Sequence, residues 1–461
     1  MPDIRKIAFG VGAVGALVLG GFGISHLNYL AKMVAGGKSH IVCNEVFLAG
    51  RDLKDILATE LTYLPEARHL FSANVDYDKK TVTSGLGPLG RRTSVYREGY
   101  GCTLVVDKLV DVPPLKPIAH KAWKTASPSK YGIDGNALNS ALDTVFQKAV
   151  DTKSDDHRAM VFIKRGELIA EHYAPGFDAD TPMISQSMAK TVSQMMVGAA
   201  INEGLFNLDD RAPIEEWSAP DDPRRDITWR HLLQMQSGLE FKEDYLDVKD
   251  GYPVYATLTQ SMAQYPIEKP LIHSPGTHWA YSTGTSQIIQ RALRVALESK
   301  GVNYHSFGRD KIFEPLGASS VVFVPDSSGE FIGGSIVYAT ARDWAKLGQL
   351  FLQDGVWEGT QIFPEGWTAF VSSPASASKG IYGAQIWLND PEPDSRFKGY
   401  VFPSLPASTY RFLGAEGQSV NIIPSMDMVV VHLGRTFWDD REFIPVNAAL
   451  EVIAPTLQPV N

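Results

Sequence analysis

Between residues 134 and 204 three patterns follow one another with little chain between them, and their order constrains the fold more than any bulk property. Asp134 stands in an N-cap position before Leu138, Leu142, Val145, Phe146 and Ala149, the spacing of one buried helix face. MVFIKRGELIAEHY then reads as two short strands around Arg165-Gly166. A second helix follows, with Val192, Met195, Met196, Ala199 and Ala200 facing one way and Gly204 at its C-terminal end. That helix opens on Ser187-Met188-Ala189-Lys190. Residues i and i+3 share a helix face, so a hydroxyl and an amine can meet where free backbone N–H groups collect.

Later segments extend the pattern. TWRHLLQMQSGL and TGTSQIIQRALRVALESKG make the region 225–320 mostly helical, Thr340 to Asp343 reads as a capping box, and SVNIIP and MVVVHLG flank a turn at Pro424 to Asp427. Helices, a hairpin, a helical insert, further strands and a last helix around Asn447 to Ile453 predict an α+β fold, with an antiparallel sheet flanked by helices and a mostly helical lobe at 225–320.

The 461 residues exceed what a single core usually serves, which predicts more than one lobe. A formal charge of −9 without runs of Lys or Arg argues against nucleic acid as a partner. At the N-terminus, Arg5 and Lys6 precede Ile7 to Ile24, eighteen residues without a charge. As a helix these reach about 27 Å, close to the roughly 30 Å hydrocarbon core of a bilayer. The preferred expectation is an uncleaved membrane anchor over residues 7–24, holding the rest of the chain on the periplasmic or extracytoplasmic side of a bacterial-type inner membrane. A cleaved signal peptide, with Met33-Val34-Ala35 as a poor cleavage site, and a buried soluble helix are the alternatives.

Cys43 and Cys102 are the only cysteines, and in an exported chain they suggest one disulfide; two buried thiols are the other reading. Pro113, Pro114 and Pro117 mark a linker. The expected organisation is a signal-anchor or signal peptide at 1–40, an extension and Pro-rich linker at 41–125, and the main domain at 126–461.

Ser-x-x-Lys is a weak signal alone, and it occurs three times, at Ser127, Ser187 and Ser376. Ser127 is followed by Pro128, and Lys379 by Gly380, so only Ser187 opens a long amphipathic helix. A serine hydroxyl needs a neighbouring base to become a nucleophile, and a lysine serves only if its pKa is lowered towards neutrality. Met188, Ala189 and Val192 give Lys190 an apolar setting suited to that. The competing reading is a helix-capping serine beside a solvated lysine.

ISQSMAKTV, TWRHLLQMQSGL, HWAYSTGTSQII, GGSIVYATARDWAKLGQLFLQDGVW with PEGW, and GAEGQSVNIIPSMDMVVVHLG together resemble the serial motifs of serine beta-lactamase-related hydrolases, in order over residues 130–455. More narrowly, they resemble the class C-like branch that includes 6-aminohexanoate-dimer hydrolases and related esterases. The resemblance implies a beta-lactamase/transpeptidase-like fold, with Ser187 as the acylated nucleophile, Lys190 as its base and Tyr281 as the proton relay. It implies an oxyanion hole at the backbone N–H groups of Ser187 and Gln418. Thr283 stands where penicillin-handling members carry asparagine, and Ala415, Glu416 and Gly417 occupy the strand motif that carries a cation in relatives. Tyr245 and Trp279 are expected to line the pocket.

Without the cation and the asparagine, ester or neutral amide hydrolysis of a small or oligomeric substrate is expected over beta-lactam turnover, with Glu416 repelling anions unless Arg411 or Arg435 replaces the cation. The chemistry calls for no metal or organic cofactor. The alternatives are a non-catalytic binding or sensor protein of the same fold, and a penicillin-binding peptidase or beta-lactamase. No G-x-S-x-G elbow supports a Ser-His-Asp reading; His273 and His278 lie in the loop before Tyr281, and His432 reads as an ordinary strand histidine.

Overall fold

The computed structural model describes residues 21–60, 69–152, 155–245, 247–390, 401–436 and 444–458. The chain divides into two compact units. One comprises Met1–Arg97, Cys102–Leu109 and Asp244–Gln260; the other comprises Glu98–Gly101, Val110–Glu243 and Ser261–Asn461.

In the N-terminal unit, helix α1 (Gly21–Phe47) packs on an antiparallel sheet of β1 (Asn74–Asp76), β2 (Thr81–Leu86), β3 (Leu89–Arg97) and β4 (Gly101–Leu104). Two close approaches fix that packing. A Cβ on Gly90, at φ +64°, would lie 2.4 Å from Ala31, and one on Gly36 would lie 3.1 Å from both Leu104 and Thr257. Val42, Cys43, Ile56, Val82 and Cys102 form the small core, and Cys43 and Cys102 are disulfide-bonded.

Residues 1–20, which hold most of the expected anchor, lie outside the described residues. Its last residues, Gly21 to Ile24, begin α1, and among the described residues no helix is long and apolar enough to cross a membrane. The membrane anchor is therefore not supported. The described part of α1 instead carries His26, Lys32, Lys38 and Glu45, and buries Ala31, Met33 and Ala35, so the cleavage-like triplet lies in mid-helix. The boundary expected at residue 40 also falls inside α1.

The larger unit is built on a six-stranded antiparallel sheet. Its strands are β5 (Asp155–Lys164), β6 (Glu167–Tyr173), β7 (Trp387–Leu388), β8 (Tyr410–Gly414), β9 (Gln418–Ile423) and β10 (Met428–Thr436), in the order β7-β8-β9-β10-β5-β6. Arg165 and Gly166, at φ +49° and +73°, close the predicted β5–β6 hairpin with the left-handed pair that matches strand twist. Alternation assigns the faces. Met160, Phe162, Met428 and Val430 face helices α2 (Gly135–Thr152) and α6 (Ile444–Ile453), whereas Val161, Ile163, Val429 and Val431 face the core that contains α3 (Ala189–Asn202) and α5 (Ala341–Leu352). Both faces are covered, so these strands read as continuous apolar runs.

The predicted cap at Asp134 forms, its Oδ1 accepting from the N–H groups of Asn136 and Ala137 at 2.9 and 3.1 Å. Thr340 caps α5, its Oγ1 accepting from Asp343 N at 3.2 Å, but the expected capping box does not close, because Thr340 N donates to Ser320 Oγ at 3.0 Å and the Asp343 carboxylate accepts from Ser320 instead. Gly348 lets α5 reach the sheet, since a Cβ there would lie 2.7 Å from Val420 and 2.8 Å from Val429.

The Pro-rich stretch is a fixed strap. Pro113 O accepts from Tyr100 Oη at 2.7 Å, Lys116 O from Arg309 Nε at 2.5 Å, and Trp123 Nε1 donates to Arg342 O at 2.9 Å. Within the region expected to be helical, the largest helix is α4 (Thr283–Glu298), while residues 244–260 belong to the N-terminal unit.

Candidate active site

The turn before α3 is tighter than the sequence suggested. Met183–Ile184 pairs with Val337–Ala339, and Ser185 extends the pairing: Ser185 N donates to Val337 O at 2.7 Å, and Val337 N to Ser185 Oγ at 2.9 Å. Gln186–Met188 then forms a 3₁₀ turn that runs into α3, with Gln186 at φ +46°. Ser187 is half-buried at this junction, and Lys190 is buried in the first turn of α3.

Lys190 Nζ makes three hydrogen bonds. It donates to Ser187 Oγ at 2.9 Å, to Thr283 Oγ1 at 2.9 Å and to Gly334 O at 2.7 Å. Gly334 must be glycine for its carbonyl to come so near, because a Cβ would lie 2.5 Å from Thr283 Cγ2. The Tyr281 ring stands 4.8 Å from Nζ, braced by Trp387 at 5.2 Å and by the edge of Tyr382 at 5.9 Å. Burial pulls the Lys190 ammonium down to about 8, against the opposing charge of Glu243. A useful fraction of neutral amine therefore exists near pH 7.

The predicted strand motif arrives at the same place. Gly414 packs under the turn that carries Ser187, where a Cβ would meet Ser185 O at 2.3 Å. Glu416 and Gly417 have φ of +64° and +85°, and Gln186 Nε2 donates to Glu416 Oε2 at 3.1 Å. Ala415 is half-buried, whereas Glu416, Gly417 and Gln418 are buried. The Gln418 side chain accepts from Gly434 N at 3.2 Å and donates to Gly434 O. His432 holds the turn from below: its Nδ1 lies 2.8 Å from Gly417 O, and its Nε2 lies 2.7 Å from His157 Nδ1.

The expectation that Glu416 would repel anions needs correction, because its carboxylate is neutralised by Arg435, with Nη2 to Oε1 at 3.0 Å. Arg435 is thereby committed. Arg411 does not supply the missing cation either: it is fully buried, donates to Asn389 Oδ1 and stacks 4.1 Å from the Phe402 ring.

Several expected wall residues sit elsewhere. Trp279 is buried in the core, 5.5 Å from Tyr382, and supports Tyr281 through that ring rather than forming an open wall. Thr283 is 1% exposed and faces Lys190. Tyr245 belongs to the N-terminal unit, 5.4 Å from Tyr252. Of the other Ser-x-x-Lys pairs, Lys130 bonds Glu167 at 2.5 Å and Ser376 accepts from Gln236 at 3.0 Å. Sequence reasoning missed Glu243, which accepts from Thr283 Oγ1 at 2.5 Å and from Thr283 N at 2.8 Å. No local pattern marks a carboxylate forty residues from its partner.

Residues 143–449 match the Beta-lactamase family, which is well over half of the chain. The chain belongs to the beta-lactamase family. Among beta-lactamase-family relatives, it is 24% identical over 353 residues to the 6-aminohexanoate-dimer hydrolase of Paenarthrobacter ureafaciens, covering 69% of this chain and 81% of that protein. The structure of a candidate 6-aminohexanoate-dimer hydrolase of Bacillus anthracis superposes with a TM-score of 0.56 at 20% identity, over 75% of this chain and 90% of that one. EstCE1, a hydrolase with promiscuous acyltransferase activity, superposes at 0.53 and 16% identity, over 68% and 98% of the two chains. These structural likenesses establish the beta-lactamase/transpeptidase-like fold.

Proposed function

We propose that this protein is a serine hydrolase that cleaves ester or linear amide bonds of small or oligomeric substrates through an acyl-enzyme on Ser187. The observation that carries the reading is the 2.9 Å bond between Ser187 Oγ and a buried Lys190 whose pKa is lowered to about 8. Neutral Lys190 takes the Ser187 proton as Oγ attacks the carbonyl carbon. The backbone N–H groups of Ser187 and Gln418 receive the oxyanion, and Tyr281 protonates the departing alkoxide or amine. Water then attacks the acyl-enzyme and releases the acid.

Charge supports the proposed substrate class. Glu416 is held by Arg435, Arg411 is sequestered beside Asn389, and Thr283 fills the place of the asparagine, so among these residues neither a cation nor an amide is offered where the resemblance puts those of penicillin-handling relatives. Neutral acyl groups fit such a site better than carboxylate-bearing beta-lactams. The relationship to a protein named 6-aminohexanoate-dimer hydrolase supports amide cleavage as one of the two reactions, without bearing on the charge of the substrate.

The test is to treat the full-length protein with a fluorophosphonate and locate the adduct by mass spectrometry, alongside Ser187→Ala. Labelling at Ser187 that disappears in the variant is expected, followed by turnover of short neutral esters or linear amides. A folded but unlabelled protein would favour a non-catalytic binding role.

A further inference from the structure

Glu243 accepts both the hydroxyl proton and the backbone N–H of Thr283, at 2.5 and 2.8 Å. Two features place it there. Ser282 caps α4 by accepting from Thr285 N at 2.9 Å, so Thr283 N is left as a free first-turn donor for a carboxylate at the helix N-terminus. Phe241 packs against Gly284, where a Cβ would lie 2.4 Å from its ring.

The consequence lies in which way each proton points. The Thr283 hydroxyl gives its one proton to Glu243, so towards Lys190 its oxygen can only accept. Gly334 O also can only accept. A neutral amine has two protons and one lone pair. With both protons drawn to Thr283 Oγ1 and Gly334 O, the lone pair is left facing the third partner, Ser187 Oγ.

We propose that Glu243 is a positioning residue that, through Thr283, fixes the proton direction of this network and aims the Lys190 lone pair at Ser187. The proposal rests on Ser187 and Lys190 being nucleophile and base. No covalent step is added: the proton moves from Ser187 Oγ to Lys190 Nζ, while the Thr283 proton stays with the Thr283–Glu243 bond.

Glu243→Gln is nearly isosteric but changes the direction. Its single carbonyl oxygen can satisfy Thr283 N, and its amide then donates to Thr283 Oγ1, which turns the hydroxyl proton towards the Lys190 lone pair. Among the described residues, the charged and titratable groups around Lys190 include Glu243 behind Thr283, Tyr281 from the segment before α4 with Tyr382 packed on its ring, and the Glu416–Arg435 pair beyond Gln186. Of these, Glu243 is the charge that raises the Lys190 pKa, so its removal moves the base to a lower pKa.

The experiment measures the second-order rate of Ser187 phosphonylation against pH for the wild type, Glu243→Gln, Thr283→Val and the double variant, each with its melting temperature. Glu243→Gln is expected to lower the plateau rate by about 10- to 100-fold, in the range of a misdirected general base, and to shift the rising limb to lower pH. In the Thr283→Val background, which has no hydroxyl to turn, Glu243→Gln should cost little. An unchanged plateau in Glu243→Gln, or an equal loss with and without Thr283, would overturn the proposal while leaving the hydrolase reading intact. An unreactive wild-type Ser187 would instead remove that reading, and this proposal with it.

Discussion

Gln186 and Glu416 lie 230 positions apart, both hold left-handed backbone, and the first donates Nε2 to the second's Oε2 at 3.1 Å. Non-glycine residues at positive φ cost of order 1 kcal/mol or more and persist only where their surroundings impose them. Here two such residues tie the turn that carries Ser187 to the turn that carries Ala415 and Gln418. Gln186→Gly relieves one of them and deletes the tie. The expected outcome is a stability change within about 1 kcal/mol of zero together with a drop in Ser187 phosphonylation of at least about tenfold. Parallel loss of stability and rate would mean that the tie acts only on folding.

Glu416 and Arg435 form a buried pair, and Glu416→Gln takes away the carboxylate that offsets the Arg435 charge. Breaking such a pair from one side costs about 3–5 kcal/mol, which urea unfolding should register. If the variant folds, the exposed field of Arg435 should also favour anionic acyl groups. The comparison is kcat/KM for a neutral ester against its carboxylate-bearing analogue, and an unaltered ratio would detach Arg435 from substrate choice.

Lys190 must be neutral to act as base, and burial holds its pKa near 8. Deprotonation proceeds as pH rises, so the rate of Ser187 acylation should climb through about pH 8 and level off above it. A limb near 10, the ordinary lysine range, would show the amine to be solvated. Lys190→Arg, which cannot lose its proton, is expected to abolish the reaction while leaving the fold intact.

His157 and His432 share a hydrogen bond of 2.7 Å deep in the larger unit. Gly417 O can only accept, so His432 Nδ1 donates to it and His432 Nε2 accepts from His157 Nδ1; the pair is neutral. Burial lowers His432 to about 3 and His157 to about 4 from the ordinary 6.5. Between pH 6.5 and about 4 the unfolded chain therefore binds more protons than the folded one. Stability should fall with decreasing pH, by up to about 1.4 kcal/mol per pH unit for each histidine. Denaturation midpoints at pH 7.5 and 5 should diverge in the wild type and draw closer in His432→Gln.

Cys43 and Cys102 close a loop with a sequence separation of 59 around the small core of the N-terminal unit. Because the bridge lies inside that core, the unit should depend on it by about 2–5 kcal/mol. Calorimetry with and without reductant tests this, and an unmoved transition would contradict it.

The sequence by itself determined what depends on local order. The α2 cap at Asp134, the Arg165-Gly166 hairpin, the i,i+3 placement of Ser187 and Lys190, and the strand pair around Pro424 to Asp427 all follow from short-range periodicity, turn chemistry and spacing. The serial motifs added Tyr281 and the 414–418 turn. Three-dimensional packing decided the rest. Whether Lys190 is a solvated cation or a buried base depends on Thr283 and Gly334, which reach it from distant segments. Glu416 reads as a repelling charge until Arg435, nineteen residues on, is found beside it. Residues 7–24 read as a membrane span from composition alone, whereas the part of them that the structure describes, Gly21 to Ile24, opens a helix whose later residues pack on a sheet. In each case periodicity reports how a segment is shaped, whereas the charge and proton direction of a buried group are set by partners that only the folded chain brings within a few ångströms.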